Sequence, residues 1–356
     1  MNTKYGFLNG LEDNELYPNG TLKLCRVTES NILETKIGKL IPQYETRDER
    51  RKLTGTLEFY DNGDLMAICL DEKITVETPI GNIPAEKILF YKGEKIKRIF
   101  PLNGKLSGYW GEENEYSLAE NISFRLEDKE IKSKFISVAF YESGALRSLT
   151  LWPREILNLE TEFGNIKVRK GISFYENGKI KSYEPAVETK LDTPIGTISA
   201  FHNEIVGLNG DCNSIEFYSD GIIKAIYTCS NSIRVVEEEN EHVIEPQLKA
   251  GWCNELIKIP VPVKINFLEN SVLFNDNKSF NMNSKFYIKE KDVKIEKPIT
   301  NEVNKKNNES VEGVVKKSPD QIAEEEKQKQ LEKQQKELAK DKEESLKNQK
   351  FNEVLS

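Results

Sequence analysis

Phe174-Tyr175-Glu176-Asn177-Gly178-Lys179-Ile180 decides the fold, because the pattern recurs along the chain. Further copies are Phe59-Tyr60-Asp61-Asn62-Gly63-Asp64-Leu65, Phe140-Tyr141-Glu142-Ser143-Gly144-Ala145-Leu146 and Phe217-Tyr218-Ser219-Asp220-Gly221-Ile222-Ile223. A weaker copy, Leu16-Tyr17-Pro18-Asn19-Gly20-Thr21-Leu22, opens the series. Asn-Gly or Asp-Gly between two apolar runs is a strong local hairpin signal. It predicts a type I′ turn, with both central residues at positive φ. Phe90-Tyr91-Lys92-Gly93-Glu94-Lys95-Ile96 carries its Gly one place earlier, which predicts a type II′ turn with Gly at the first central position.

A second element follows at a fixed distance. Thr35-Lys36-Ile37-Gly38, Thr78-Pro79-Ile80-Gly81 and Thr193-Pro194-Ile195-Gly196 place their Gly 18 residues after a hairpin Gly, and Thr161-Glu162-Phe163-Gly164 does so at 20. An apolar residue stands two positions beyond each: Leu40, Ile83, Ile198 and Ile166. This reads as a second turn followed by another strand. Gly20 to Gly63 and Gly178 to Gly221 are both 43 residues apart, so one full unit holds about four strands. Leu102-Asn103-Gly104-Lys105-Leu106 reads as one further hairpin. No helical period is evident before the last sixty residues. The expected fold is all-β: an elongated antiparallel sheet of stacked hairpin repeats, not a compact two-layer domain.

These Phe-Tyr-x-Asn-Gly-x-apolar units resemble the MORN-variant repeats found in many bacterial proteins. The resemblance covers roughly residues 10 to 230. It implies a sheet assembled from consecutive hairpins and names no chemistry. The chain lacks the Gly-rich spacing and shorter repeat of the standard MORN pattern, so the membrane-lipid binding sometimes ascribed to that class is not carried over.

The repeat array is therefore set at residues 1–230. Residues 231–294 hold β-like runs such as Val261-Pro262-Val263-Lys264-Ile265-Asn266-Phe267 but no turn in phase, and read as a cap over the last repeat. Composition changes near residue 295. Residues 295–356 contain one aromatic residue, Phe351, with 13 basic and 14 acidic residues. Such a segment buries too little apolar surface to offset the entropy of ordering. A disordered linker is expected over 295–317 and a disordered end over 351–356. Between them, Ser318-Pro319-Asp320-Gln321 reads as a helix start. Glu325/Lys329 and Glu332/Lys336 then sit at helical spacing. A charged helix over 318–350 is expected outside the core. Its Leu331/Leu338 seam ends after one heptad step, too short for a dimeric coiled coil.

The whole chain of 356 residues is 37% hydrophobic and 31% charged, with a net charge of −8. That balance argues against a nucleic-acid surface. No apolar run approaches the length of a membrane-spanning helix. The opening MNTKYGFLNG lacks a signal-peptide layout, so a cytoplasmic location is expected. Five scattered cysteines fit reduced thiols, and Cys25, Cys69 and Cys229 read as buried small hydrophobes rather than metal ligands. Only His202 and His242 are present, and no dinucleotide fingerprint, P-loop or nucleophile elbow occurs. His202 beside Glu204 reads as a surface loop residue. No catalytic residue, cofactor or metal is assigned.

Candidate binding residues come from places where the repeat departs from its own pattern. The stretch from Phe100 to Glu115 concentrates Lys105, Tyr109 and Trp110. Trp152, Arg154, Arg169, Glu184 and Asp211 occupy similar departures. Arg beside aromatic rings suits an anionic or planar ligand, so one pocket lined by Trp110, Arg154, Arg169 and Glu184 is the functional expectation. The alternative is that Trp110 and Trp152 pack the sheet and the charges form a solvated face. Two functions follow. One is a non-catalytic scaffold that binds a partner protein through its sheet and charged tail. The other is a small-molecule binding or processing protein using the insertions around Trp110, Trp152 and Arg169.

Overall fold

The computed structural model describes residues 1–291 except 47–49, 52–54, 106, 108, 127–128, 203–209, 239 and 251–257. The chain divides into two units, Met1–Pro298 and Ile299–Ser356, and the described residues all belong to the first. The expected linker, charged helix and end over 295–356 lie outside the described residues, as does Cys253.

The fold is all-β and is built on one antiparallel sheet of sixteen strands. Along fourteen steps the sheet is a meander from Leu11–Leu16 to Lys278–Asn281, and the sixteenth strand, Ile156–Thr161, lies off this path and pairs with Gly164–Phe174. A single register row of apolar residues crosses it: Cys25, Leu57, Ile68, Ile88, Ile99, Val138, Leu149, Ile172, Tyr183, Ile215, Ile226 and Ile265. Every one of them is buried. Burying each Ile or Leu contributes about 1.5–3 kcal/mol. Period-2 alternation sends the adjoining row to the opposite face, where Ala139, Ser148, Ser173 and Ser182 stand side by side.

The repeated turns are not of the expected type. In each Asn-Gly or Asp-Gly copy, and in the Ser-Gly copy, the Tyr carbonyl accepts the Gly N–H, as in Tyr175 O to Gly178 N at 2.9 Å. The Tyr N–H then donates to the residue after Gly, Lys179 O, at 2.8 Å. Gly alone is left-handed, with Gly178 at φ 86°, while Asn177 is not among the residues of positive φ. This is a three-residue loop, a type I turn closed by a Gly bulge, in place of the type I′ turn. Asn177 serves instead through its side chain, whose Oδ1 accepts the Lys179 N–H at 3.1 Å. At the shifted copy, Gly93 (φ 83°) takes the second central position rather than the first, and Glu94 follows at φ 68°. Asn103-Gly104 forms no hairpin, because its two N–H groups are drawn to the buried carboxylates of Glu86 and Glu115.

Each turn Tyr fastens its hairpin to the next. The Tyr17 hydroxyl donates to Phe59 O, Tyr60 to Phe90 O, Tyr91 to Phe140 O, Tyr141 to Phe174 O, Tyr175 to Phe217 O and Tyr218 to Phe267 O, all at 2.8–3.0 Å. The last bond corrects the expected boundary at residue 230. Val263–Phe267 pairs with Ile223–Thr228, and Ser271–Phe274 and Lys278–Asn281 continue the same sheet. The phase is hidden in the sequence because Leu268 replaces the tyrosine.

The second turns also form, and they build a second layer. The Thr hydroxyl donates to the Gly carbonyl in Thr35–Gly38, Thr78–Gly81, Thr161–Gly164 and Thr193–Gly196, at 2.6–2.9 Å. Thr3-Lys4-Tyr5-Gly6 is a fifth copy. The inward residues of these hairpins, such as Leu33, Leu40, Val76, Ile83 and Ile198, join one core cluster with the main sheet. The core is therefore sandwiched, and the single-layer expectation is replaced by a sheet covered on one face. In three cases a second turn skips one primary turn and lies on the following one. Lys4 reaches Asp64 at 2.6 Å, Lys36 N–H reaches Glu94 at 2.9 Å, and Phe163 stacks on Phe217 at 4.2 Å between ring centroids.

Candidate functional site

The excursion between Ile96–Phe100 and Ile122–Leu126 carries the one helix described before residue 292, Glu112–Leu118. Gly111 precedes it, with its N–H bonded to Asn114 Oδ1 at 2.9 Å. Three carboxylates, Glu112, Glu113 and Glu115, occupy the first turn, where the helix dipole favours them. The helix was not expected, because seven residues are too short to display a period.

Glu115 is the buried member. Its Oε1 accepts the Gly104 N–H at 2.8 Å and Arg50 Nη1 at 2.9 Å, and its Oε2 accepts Trp110 Nε1 at 2.6 Å. Arg50 also forks onto Glu86 at 2.7 and 3.0 Å, and Glu86 accepts the Asn103 N–H at 2.7 Å. Burial alone would lower the Arg50 pKa, but Glu86 and Glu115 outweigh it and hold the guanidinium above its ordinary value. On the helix's other side, the Tyr116 hydroxyl donates to Glu155 at 2.7 Å, and its ring meets Trp152 edge-on at 5.8 Å. Lys134 lies 4.2 Å over the Tyr116 ring, and Arg154 pairs with Glu113. Burial would raise the Glu155 pKa, but hydrogen bonds from Ser133 and Tyr116 hold it below the usual value.

Glu184 anchors a second group on the small-residue face of the sheet. Its side chain is 0% exposed. It accepts the Ser214 N–H at 2.8 Å, the Ser214 hydroxyl, and Arg169 Nη2 at 3.1 Å. Burial pushes the Glu184 carboxyl above its usual range, against the opposing pull of Ser214 and Arg169. Arg169 also donates to Pro185 O and His202 O, and lies 4.3 Å over the Phe201 ring. Beside it, Asn213 donates to Ser182 Oγ at 2.7 Å and to Gly210 O at 2.8 Å, while Gly210 N–H donates to Thr150 Oγ1 at 2.8 Å. A Cβ on Gly171 would stand 2.6 Å from Gly210 Cα, so only two glycines let this segment cross the sheet.

The expected single pocket is thus replaced by two groups. Trp110, Trp152 and Arg154 gather on the helix, and Lys105 joins them through its N–H to Arg50 O at 2.8 Å. Tyr109 is 86% exposed and holds only its backbone there, its N–H on Ser107 Oγ. Arg169 and Glu184 form the second group. Asp211 faces Arg147 and Arg98 at 3.4 and 3.6 Å. Trp110 is fixed by its hydrogen bond to Glu115 and Trp152 by packing against Tyr116, and the two do not line one pocket with Arg169 and Glu184.

The residues that organise both groups escape the sequence pattern. Arg50 stands in the run Glu45-Thr46-Arg47-Asp48-Glu49-Arg50-Arg51-Lys52, which reads as a solvated loop. Glu86 breaks no pattern in Gly81–Phe90. Ser214 gives no signal at all until Glu184 is known to be buried.

Each buried carboxylate holds a loop by its backbone: Glu86 and Glu115 the segment at 103–104, and Glu184 the entry to Ile215–Phe217. Glu204 lies outside the described residues, and the His202 carbonyl is bonded to Arg169. Cys25 is buried, which pushes its thiol up to about 12, far from a reactive thiolate. Among the described residues no group of three or more His, Cys, Asp or Glu is placed to hold a metal ion. Among them, too, no helix is long and apolar enough to cross a membrane. No protein-family model matches the chain, and neither a curated protein nor a solved structure does.

Proposed function

We propose that the protein is a non-catalytic scaffold, a hairpin-repeat array of MORN-like character that binds a partner protein on its repeated surface. The observation that carries this reading is the internal use of its polar groups. Glu86, Glu115, Glu155 and Glu184 all accept hydrogen bonds that fix loops to the sheet, while the turns repeat at regular intervals along one edge. Buried ion pairs so arranged hold the loops in one conformation. A regular array of turns on a continuous core is instead suited to extended recognition. The test is capture from native lysate on immobilised full-length chain, read by quantitative mass spectrometry against a denatured control. A specifically enriched protein is expected. Equal recovery on both would overturn the scaffold reading.

A small-molecule site at the helix group is the second reading. It is favoured by Trp152, which is 7% exposed and whose Nε1 has no acceptor among the described residues. A ligand acceptor reaching that N–H would quench or shift Trp fluorescence in the wild type but not in Trp152→Phe.

A further inference from the structure

The repeat itself records what fits between its two layers. Where a second turn carries an aromatic third residue, that ring lies on the Phe of a primary hairpin. Tyr5 lies 6.3 Å from Phe59, and Phe163 stacks on Phe217 at 4.2 Å and 10°. The Tyr5 hydroxyl also takes the Leu65 N–H at 2.8 Å. In Thr35–Gly38, Thr78–Gly81 and Thr193–Gly196 the third residue is Ile, and Leu126-Glu127-Asp128-Lys129 has no aromatic residue.

Beside two of these places, Thr78 and Leu126, the space is open. A cavity of about 270 Å³ lies over Phe140, walled by Ile37, Pro79 and Ile96. Another of about 300 Å³ lies over Phe174, walled by Leu126, Leu159 and Ile180. They occupy equivalent positions, since Thr78, Phe140 and Gly144 line the first as Leu126, Phe174 and Gly178 line the second. Their rims hold four carboxylates, Glu94, Glu142, Glu160 and Glu162, against two ammonium groups, Lys95 and Lys179.

We propose that these two cavities receive aromatic side chains from a basic segment of a partner protein, one ring over Phe140 and one over Phe174. Two strand steps separate the two Phe, which sets the anchors about 10 Å apart. The chain's own Tyr5 and Phe163 define the ring geometry, and the excess of rim carboxylates selects positive flanks. This rests on the scaffold reading and names the surface and the chemistry of the partner.

Tyramine, a phenol ring with an ammonium group, is the probe, and the Ile methyl groups of the full-length chain report on it by NMR. Titration should shift Ile37, Ile96 and Ile180 with a Kd on the order of 1 mM, the affinity a fragment of this size can reach. Phenylacetate should bind at least several-fold more weakly. Ile37→Phe should abolish the response at Ile96 while leaving Ile180, and Ile180→Phe should remove the response of the second cavity. The methyl spectrum of each variant checks that it is folded. No shift at Ile96 and Ile180, or an Ile96 response that survives Ile37→Phe in a folded variant, would overturn the proposal. Equal binding of phenylacetate would overturn its basic-partner half. A protein captured equally by wild type and by the doubly filled variant would refute the cavities and leave the scaffold standing. A tyramine response with no captured partner would do the reverse.

Discussion

The Tyr175 hydroxyl donates to the Phe217 carbonyl at 2.8 Å, joining neighbouring hairpins through residues 42 positions apart in sequence. Hairpin pairing alone leaves neighbouring turns free to splay. The tyrosine closes that gap, and the bond recurs from each hairpin to the next until Leu268, which has no hydroxyl to pass it on. Tyr175→Phe keeps the ring and deletes the bond. It should destabilise by about 0.5–1.5 kcal/mol in urea denaturation. Tyr141→Phe should do the same through Phe174, and the double variant should lose the sum within about 0.5 kcal/mol. A loss well beyond the sum would mean that the bonds act as one cooperative ladder.

The turn geometry separates two adjacent residues. Gly178 is left-handed with nothing within 4 Å of a built Cβ, so Gly178→Ala meets backbone strain and no clash. The expected loss is about 1–2 kcal/mol. Asn177 is not left-handed, so Asn177→Ala forfeits only its bond to the Lys179 N–H, about 0.5–1 kcal/mol. Thermal denaturation of the two variants distinguishes the turn types. In a type I′ turn Asn177→Ala would also carry left-handed strain and fall as far as Gly178→Ala.

The hairpins, their phase and the all-β class could be read directly, because turn chemistry is local and each Gly answers to its own φ. The second turns could be read for the same reason, through Thr and Gly at fixed spacing. What they pack against could not. Phe163 stacking on Phe217 joins residues 54 positions apart, and no pattern inside either turn encodes that meeting. The candidate residues show the same limit. Arg169 and Glu184 are marked as departures from the repeat and do meet, because Gly164–Phe174, which carries Arg169, pairs with Ile180–Pro185, which carries Glu184. Trp110 belongs elsewhere because a helix of seven residues, invisible as a period, carries its acceptor Glu115.

Arg50 should be the most sensitive charged residue outside the turns. Its guanidinium faces two carboxylates, and its side chain is only 9% exposed. Arg50→Ala leaves Glu86 and Glu115 buried without it, and a loss of about 3–5 kcal/mol is expected. Glu115→Gln keeps the shape and the Trp110 acceptor, and should lose less than half as much. Chemical denaturation monitored by Trp fluorescence reads both. Comparable losses would mean that the Glu115 charge, and not the shape of its side chain, holds the helix in place.

Acid should loosen the first turn from the main sheet. Asp64 accepts Lys4 Nζ at 2.6 Å on one oxygen, and the Gly93 N–H and Asn62 Nδ2 at 2.9 Å on the other. The Lys4 hydrogen bond is the main reason its pKa falls to about 2; burial opposes the shift, and Gly93 and Asn62 add to it. A carboxyl whose folded pKa is lowered stabilises the fold above its unfolded pKa, near 3.8 for this group. That stability disappears as pH falls from there through about 2. Lys4 is 52% exposed, so solvent screening reduces the effect to about 1 kcal/mol. Asp64→Asn should therefore be less stable than wild type at pH 7 by about that amount and should converge on it near pH 2. Glu184, whose pKa is raised, acts with the opposite sign: its contribution is present in acid and is lost as pH rises. Glu184→Gln should accordingly steepen the acid loss that Asp64→Asn flattens. Melting temperatures measured from pH 2 to 7 for the three proteins test both signs. Parallel curves for wild type and Asp64→Asn would show that the bond from Lys4 to Asp64 does not couple the first turn to the main sheet.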